Sequence, residues 1–130
     1  MQVVIFTLGN EKFALETSLV HGIEKMMNIT RVPNAPSYIK GLANLRGTII
    51  SIIDLKKYLN IEKVSEEENI IIIEADEERI GLMVDSVDEV VEITQDMIEK
   101  IYDNNDIAIG IINFKDYIVT LLDGELLFAK

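Results

Sequence analysis

The 130-residue chain reads as a mostly β protein with short helices, built from two small barrels of about five strands each. Three observations carry this reading. Isoleucine supplies 22 residues and valine ten, and β-branched side chains fit a pleated, half-buried surface. Short apolar runs alternate with Gly-, Asn- and acid-rich turns at hairpin spacing. The chain also repeats itself. Residues 41–59 lie over residues 110–128 without a gap, pairing Gly41 with Gly110, Asn44 with Asn113, Arg46 with Lys115, Ile49 with Ile118 and Asp54 with Asp123. Upstream, residues 6–23 lie over residues 73–90. Two units in the same order indicate an internal duplication with approximate halves 1–65 and 66–130. Neither half buries much core alone, so the two are expected to pack together.

The elements follow in order. Residues 3–8 read as a strand, 9–12 as a turn and 13–16 as the start of a return strand. Residues 18–25 fit either a helical turn or a bent strand. Pro33 and Pro36 break regular structure. Residues 38–46 and 48–53 read as strands around Arg46-Gly47, after which Asp54 caps a short helix over 55–59. Residues 62–68 are polar and charged, a solvated connector. Residues 70–75 and 79–85 form a hairpin around an acidic turn at 76–78. Val87, Val90, Val91 and Ile93 continue an apolar face. Thr94 caps an expected helix over 95–101, and 103–106 is a loop. Residues 107–113 and 117–122 make the last hairpin, and Asp123 caps a closing helical turn over 124–128.

Composition narrows the function classes. The net charge is −11, divided as +3 over residues 1–65 and −14 over residues 66–130. The second half carries runs apolar enough to fold, so its acidity is not that of a tail. With no cysteine there is no disulfide frame, thiolate metal site or cysteine nucleophile. Apolar residues at 48% exclude a disordered chain. The apolar runs fall far short of the roughly 18 residues that span a bilayer. No secretory signal opens the sequence, so the cytoplasm is the expected location and membrane insertion is not expected. Strong negative charge disfavours nucleic acid or anionic membrane as the main partner.

Few residues invite catalysis. A single His21 with no cysteine cannot supply a triad or a histidine-based metal set. Asp103-Asn104-Asn105-Asp106 resembles the start of a calcium loop but lacks its glycine and its closing glutamate, where Phe114 stands. Asp85 and Asp88 have the spacing of paired carboxylates, which chance supplies readily among 23 acids. No nucleotide-binding glycine motif occurs, and neither cofactor nor metal is expected. The runs 66–68 and 76–78 read as solvated surface or as a negative face for a basic partner. Arg46 has no acid within seven residues on either side. It is either a turn residue pointing at water or a guanidinium that organises a groove. An acid-lined ion-binding protein or small enzyme, using Asp85/Asp88 or Asp103/Asp106, stands as the alternative. So does a nucleic-acid-binding barrel, for which Tyr38 and Tyr58 are the candidate stacking aromatics.

The segment TRVPNAPSYIKGLANLRGTIISIIDL, with FTLGNEKFALE before it and ERIGLMVDSVDEVVEI after it, resembles the CheW family of bacterial chemotaxis adaptors and the related regulatory domain of the histidine kinase CheA. The resemblance covers nearly the whole chain as a single domain, 1–130. It implies two five-stranded SH3-like barrels around a shared apolar core, with strand exchange between them possible, and no catalysis. It implies binding to the cytoplasmic hairpin tip of chemoreceptors through an apolar groove, to the CheA regulatory domain barrel end to barrel end, and a place at membrane-associated receptor arrays. The positions that carry over for partner binding are Val20, Gly41, Arg46, Gly81, Val87, Val90 and Gly110, with Asn44 and Gly47 in the motif itself. Gly41 and Gly81 are expected to let a partner or neighbouring barrel approach, so a bulky acid there should abolish binding while the chain still folds. The sequence departs from the family pattern at Gly22, where an acid is common and Glu24 stands two residues on. It departs also at Ser51, where proline is common, and in a shorter 101–109 segment.

Overall fold

The computed structural model describes residues 1–101 and 107–129, so the expected loop at 103–106 lies outside the described residues. Strand β1 (Gln2–Leu8) turns into β2 (Glu11–Glu16). A 3-10 turn at Thr17–Leu19 leads to β3 (Val20–Lys25), so the ambiguous segment is a strand entered by a single turn. β4 (Ile39–Leu45) and β5 (Thr48–Asp54) form a hairpin closed by α1 (Leu55–Tyr58). β6 (Asn69–Ala75), β7 (Glu78–Val84) and β8 (Ser86–Glu92) follow. A 3-10 turn at Gln95–Met97, β9 (Ile98–Lys100), β10 (Ala108–Asn113), β11 (Ile118–Leu122) and a 3-10 helix at Gly124–Ala129 complete the chain.

The strands form two sheets. Sheet A has the order β8-β1-β2-β11-β10-β9 and sheet B the order β3-β6-β7-β5-β4. They contain six and five strands rather than five each, and no ladder among the described residues joins the edges of either into a barrel. Sheet B nevertheless curls. Beyond β3 the chain runs to Thr30, whose N–H and C=O both bond Leu42 of β4 at 2.8 Å. The helix expected over 95–101 is also corrected. Ile98 opens a strand because its side chain packs into the sheet A core beside Ile112, its cross-strand partner.

Each sheet mixes the two ends of the chain. Sheet B runs continuously from Val20 to Val84, while sheet A pairs the N-terminal hairpin with the C-terminal strands. The pairings of one sheet map onto those of the other through the sequence offsets of the two repeat units. In sheet B, β3 sets Val20 opposite Ile73 and Ile23 opposite Ile71. In sheet A, β8 sets Val87 opposite Phe6 and Val90 opposite Val4. The parallel pair β5–β7 joins Ile52 to Gly81, and its counterpart β11–β2 joins Leu121 to Ala14. Asp54 N–H bonds Tyr38 C=O and Asp123 N–H bonds Ile107 C=O, each at 2.7 Å. The Asp54 carboxylate caps α1 through Lys57 N–H at 3.3 Å, and Asp123 accepts from Glu125 N–H at 3.2 Å.

Charge follows this exchange. Residues 20–84 carry eight Lys/Arg against ten Asp/Glu, a net −2, and the rest of the chain carries four against thirteen, a net −9. The contrast between the sequence halves is therefore muted between the sheets.

Alternation along the central strands divides the core into three parts. Val4 and Phe6 of β1 and Ile71 and Ile73 of β6 point into an apolar core shared by both sheets. Val3 and Ile5 point into a core inside sheet A, and Ile70 and Ile72 into one inside sheet B. This double burial explains the unbroken runs VVIF and IIII, since a strand covered on both faces has no polar side. Gly81 lies on the inner face of sheet B, where an added Cβ would sit 2.7 Å from Ile52 Cδ1 and 2.8 Å from Ile70 Cγ2. At Gly41, φ is +153° and a Cβ would meet Thr30 O at 2.2 Å. Both glycines admit this chain's own atoms, which corrects the expectation that an acid there leaves the fold intact. Gly81→Ala should cost about 1–3 kcal/mol in urea denaturation by forcing Ile52 and Ile70 off their rotamers. Gly81→Asp should fail to give a cooperative β-type circular dichroism melt, because it buries a charge without a partner.

Candidate partner-binding surface

The candidate residues divide by the elements that carry them. Val87 and Val90 are three apart on β8, a spacing that strict alternation would send to opposite faces. A bulge between them changes this. The ladder slips between Ile5 and Phe6, so Val87 faces Phe6 and Val90 faces Val4, both of which belong to the shared core. The same slip on β3 places Val20 and Ile23 opposite Ile73 and Ile71. Val20 and Val87 are half-buried and pack against that one core from the edge strands of different sheets. Val90 is 54% exposed and Ile23 43%. The result, on each edge strand, is a pair of apolar side chains turned to the face of the shared core. Ile23 was missed by sequence reasoning, although it occupies the repeat position of Val90.

Arg46 and Gly47 form the two-residue loop of the β4–β5 hairpin, with φ of +50° and +89°. Positive φ at both central positions is what the type I′ hairpin loop uses to match strand twist. Asn44 Oδ1 accepts from Gly47 N–H at 2.8 Å and holds the loop. Arg46 Nη2 lies 3.1 Å from Glu24 Oε2, with the arginine side chain 73% exposed. Glu24 is two residues beyond Gly22, on the same face of β3, so the acid absent at 22 is supplied at 24. The pair links the two edges of sheet B across the curl. Gly41, Gly81 and Gly110 are buried, and a Cβ on Gly110 would stand 2.5 Å from Ile98 Cγ2. The structure thus turns Val20, Val87 and Val90 to the shared-core face of their edge strands and sets Arg46 on a loop tied to β3. It places the three buried glycines inside the strands behind them.

The CheW-like domain profile matches residues 2–130. The chemotaxis protein CheW of Helicobacter pylori is 31% identical over 136 residues, covering 100% of this chain and 82% of that protein. The chain belongs to the CheW-like family. The CheW of Klebsiella aerogenes is 37% identical over 99 residues, which span 75% of this chain and 60% of that protein's own length. A crystal structure of the scaffolding protein TtCheW from Thermoanaerobacter tengcongensis superimposes with a TM-score of 0.86 at 35% identity, covering 94% of this chain and 83% of the other. As a member of this family the chain is a non-catalytic chemotaxis scaffold.

The carboxylates that hinted at catalysis serve this CheW-like fold instead. Asp85 and Asp88 do not share a site. Asp85 lies in a buried ion cluster with Lys56, whose side chain is 2% exposed. Lys56 Nζ reaches Asp85 Oδ1 at 2.6 Å, Glu67 Oε2 at 3.1 Å and Ser65 C=O at 2.9 Å. Asp85 Oδ2 also accepts from Gly9 N–H at 2.7 Å and Ser65 Oγ at 2.5 Å. The 62–68 connector is therefore clamped through Ser65 and Glu67 rather than wholly solvated. Asp88, on β8, accepts from Thr7 Oγ1 and Lys12 Nζ at 2.7 Å each and from Ser86 Oγ at 2.9 Å. Tyr117 OH donates to Glu89 at 2.9 Å. These bonds hold β8, and with it Val87 and Val90, in one register.

Burial alone would raise both aspartates, but donors outweigh it. Lys56, Ser65 and Gly9 lower Asp85, and Lys12, Thr7 and Ser86 lower Asp88. Burial likewise works to lower Lys56, and its bonds to Asp85 and Glu67 raise it on balance. Tyr38 and Tyr58 do not offer exposed stacking faces. They meet edge to face at 5.1 Å and pack against the shared core. Among the described residues no three metal-ligating side chains cluster. Asp103 and Asp106 lie outside the described residues.

Lys56→Met should destabilise the chain by about 3–5 kcal/mol in denaturant unfolding, because it strands two buried carboxylates. Adding Asp85→Leu should recover part of that loss, and no recovery would show that Lys56 acts alone. The pH dependence has a definite sign. The lowered Asp85 and Asp88 contribute stability that is present above their ordinary value of 3.8 and lost as pH falls through their folded values. The raised Lys56 contributes stability present below 10.5 and lost as pH rises through its folded value. Thermal melts should fall below about pH 4 and less steeply in an Asp88→Asn variant, with these groups adding no slope between about pH 5 and 9.

Proposed function

We propose that this chain couples chemoreceptors to the histidine kinase CheA, binding the receptor hairpin tip along the rim of Val20, Val87 and Val90 and the CheA regulatory domain at a barrel end. The observation that carries the reading is the pair of bulges. They turn apolar side chains of both edge strands toward the shared-core face, which supports reading that side as the place where a receptor helix lies against rigid strands. Arg46 is tied to Glu24 on the face of β3 opposite to Val20 and Ile23, outside that seam, and is read as contributing to assembly rather than to folding. The two curled sheets are read as SH3-like barrels that exchange their first hairpins. The inner cores of each sheet and the Thr30–Leu42 bridge support that reading. The repeat halves 1–65 and 66–130 are read as copies of one ancestral unit, supported by the matching registers of the two sheets. The protein acts in the cytoplasm, at membrane-associated receptor arrays. No helix among the described residues is long and apolar enough to cross a membrane.

Co-sedimentation with receptor cytoplasmic fragments and CheA tests this. Val90→Asp should reduce receptor capture by about tenfold or more with an unchanged melting profile, since Val90 is exposed. Arg46→Ala should weaken ternary assembly while costing at most about 1 kcal/mol of stability, the range of an exposed ion pair. Full capture by Val90→Asp would remove the rim from the binding surface.

A further inference from the structure

A second recognition site lies away from the rim. Arg31, Lys40 and Lys57 line one cleft of about 610 Å³, contributed by the loop before β4, by β4 and by α1. Its walls include Ile29, Val32 and Pro36. None of the nine candidate residues lines it. The cations are notable for what surrounds them. Acids outnumber Lys and Arg by 23 to 12, and Lys12, Arg46, Lys56, Lys63 and Arg79 each have a carboxylate partner. Among the described residues no ion pair engages Arg31, Lys40 or Lys57, nor Lys25, Lys100 or Lys115; the first three are exposed and differ in lining one cleft together. In a chain this acidic, a cleft lined by three cations from three elements and by no Asp or Glu is a locally positive site.

We infer that this cleft binds an acidic peptide segment of a partner protein, with carboxylates on the three cations and an apolar side chain against Ile29 and Val32. Charge complementarity selects an anionic occupant. The apolar wall favours a peptide over a free oxyanion, which has nothing to place there. The volume falls in the range of pre-formed ligand clefts. Pro33 and Pro36 stiffen the loop that carries Arg31, which reduces the entropy lost on binding. A second copy of this chain is disfavoured as occupant, because two molecules of net charge −11 repel at long range. The inference goes beyond the rim and does not rest on it.

Fluorescence anisotropy with the labelled peptide EEIEE, its neutral analogue QQIQQ and the full chain tests the assignment. EEIEE should bind roughly tenfold or more tighter than QQIQQ, and the advantage should shrink with salt. Arg31→Glu/Lys40→Glu should lower EEIEE affinity by about tenfold or more. Lys100→Glu/Lys115→Glu, exposed positions outside the cleft with the same change in net charge, should lower it by less than about twofold. Circular dichroism melts establish that the variants fold, and Arg31→Gln/Lys40→Gln provides a charge-removing pair if reversal disturbs the loop. Equal loss in both Glu double variants, or equal affinity for the two peptides, would overturn the proposal. So would displacement of EEIEE by sodium phosphate beyond chloride of matched ionic strength, which would make the cleft a free-anion site. Self-association of the chain abolished by the cleft substitutions would assign it to a second copy and overturn the proposal equally.

Discussion

The two strands at the heart of the molecule, β1 and β6, are apolar on both faces, and the architecture follows from finding cover for each face. Val4 and Phe6 meet the shared core while Val3 and Ile5 meet the interior of sheet A. Ile71 and Ile73 meet the same shared core while Ile70 and Ile72 fill sheet B. A sheet that must bury its strands twice has two choices: a second layer on each face, or one layer plus its own curl. In sheet B the chain takes the second choice: the shared core supplies one layer, and the curl at the Thr30–Leu42 bridge helps cover the other face. Burying a side chain of this size contributes roughly 1.5–3 kcal/mol, so leaving either face wet would be costly at every one of these positions.

The exposed apolar positions on the edge strands are a by-product of the same constraint. Edge strands β3 and β8 lie beside β6 and β1, and their apolar residues can reach the shared core only where the ladder permits. The bulges permit it. Each lets residues three apart point inward, the first half-buried against the core and the second left proud of it. The polar bonds of Asp88 and Tyr117 fix β8 in that register. The Lys56 cluster ties the 62–68 connector to the start of β8 and to the β1–β2 turn through Gly9. A scaffold needs a surface that does not rearrange, and this one is held by covalent continuity, an apolar seam and buried charge pairs together.

Some of the site was readable residue by residue and some was not. Val20, Val87, Val90 and Arg46 were nominated by family likeness, and Ile23 follows from the repeat alone. The glycines were legible as close-approach positions, but what approaches them was not. Gly81 opposes isoleucines 29 and 11 residues away in sequence, and Gly41 opposes the backbone of Thr30, so the neighbours that fill the space are tertiary. The reading of Asp85 and Asp88 as a possible pair failed for the same reason. Their cations, Lys56 and Lys12, are 29 and 76 residues distant, and no local spacing announces them.

By itself the sequence determined the β character, the hairpins and the caps at Asp54 and Asp123, and it suggested two repeat units whose offsets also relate the strand registers of the two sheets. These rest on local preferences: branched side chains, turn residues with positive φ, and side chains that satisfy nearby backbone N–H groups. Only the tertiary structure decided that the first hairpins trade sheets, that sheet A gains a sixth strand from Ile98–Lys100, and that the halves of net charge +3 and −14 become sheet units of −2 and −9. It also decided which valines share a face. Two similar halves present nearly equivalent edges to one another, so local chemistry cannot say whose hairpin pairs with whose strand. That choice is made by the shared core, which is complete only when both halves are folded.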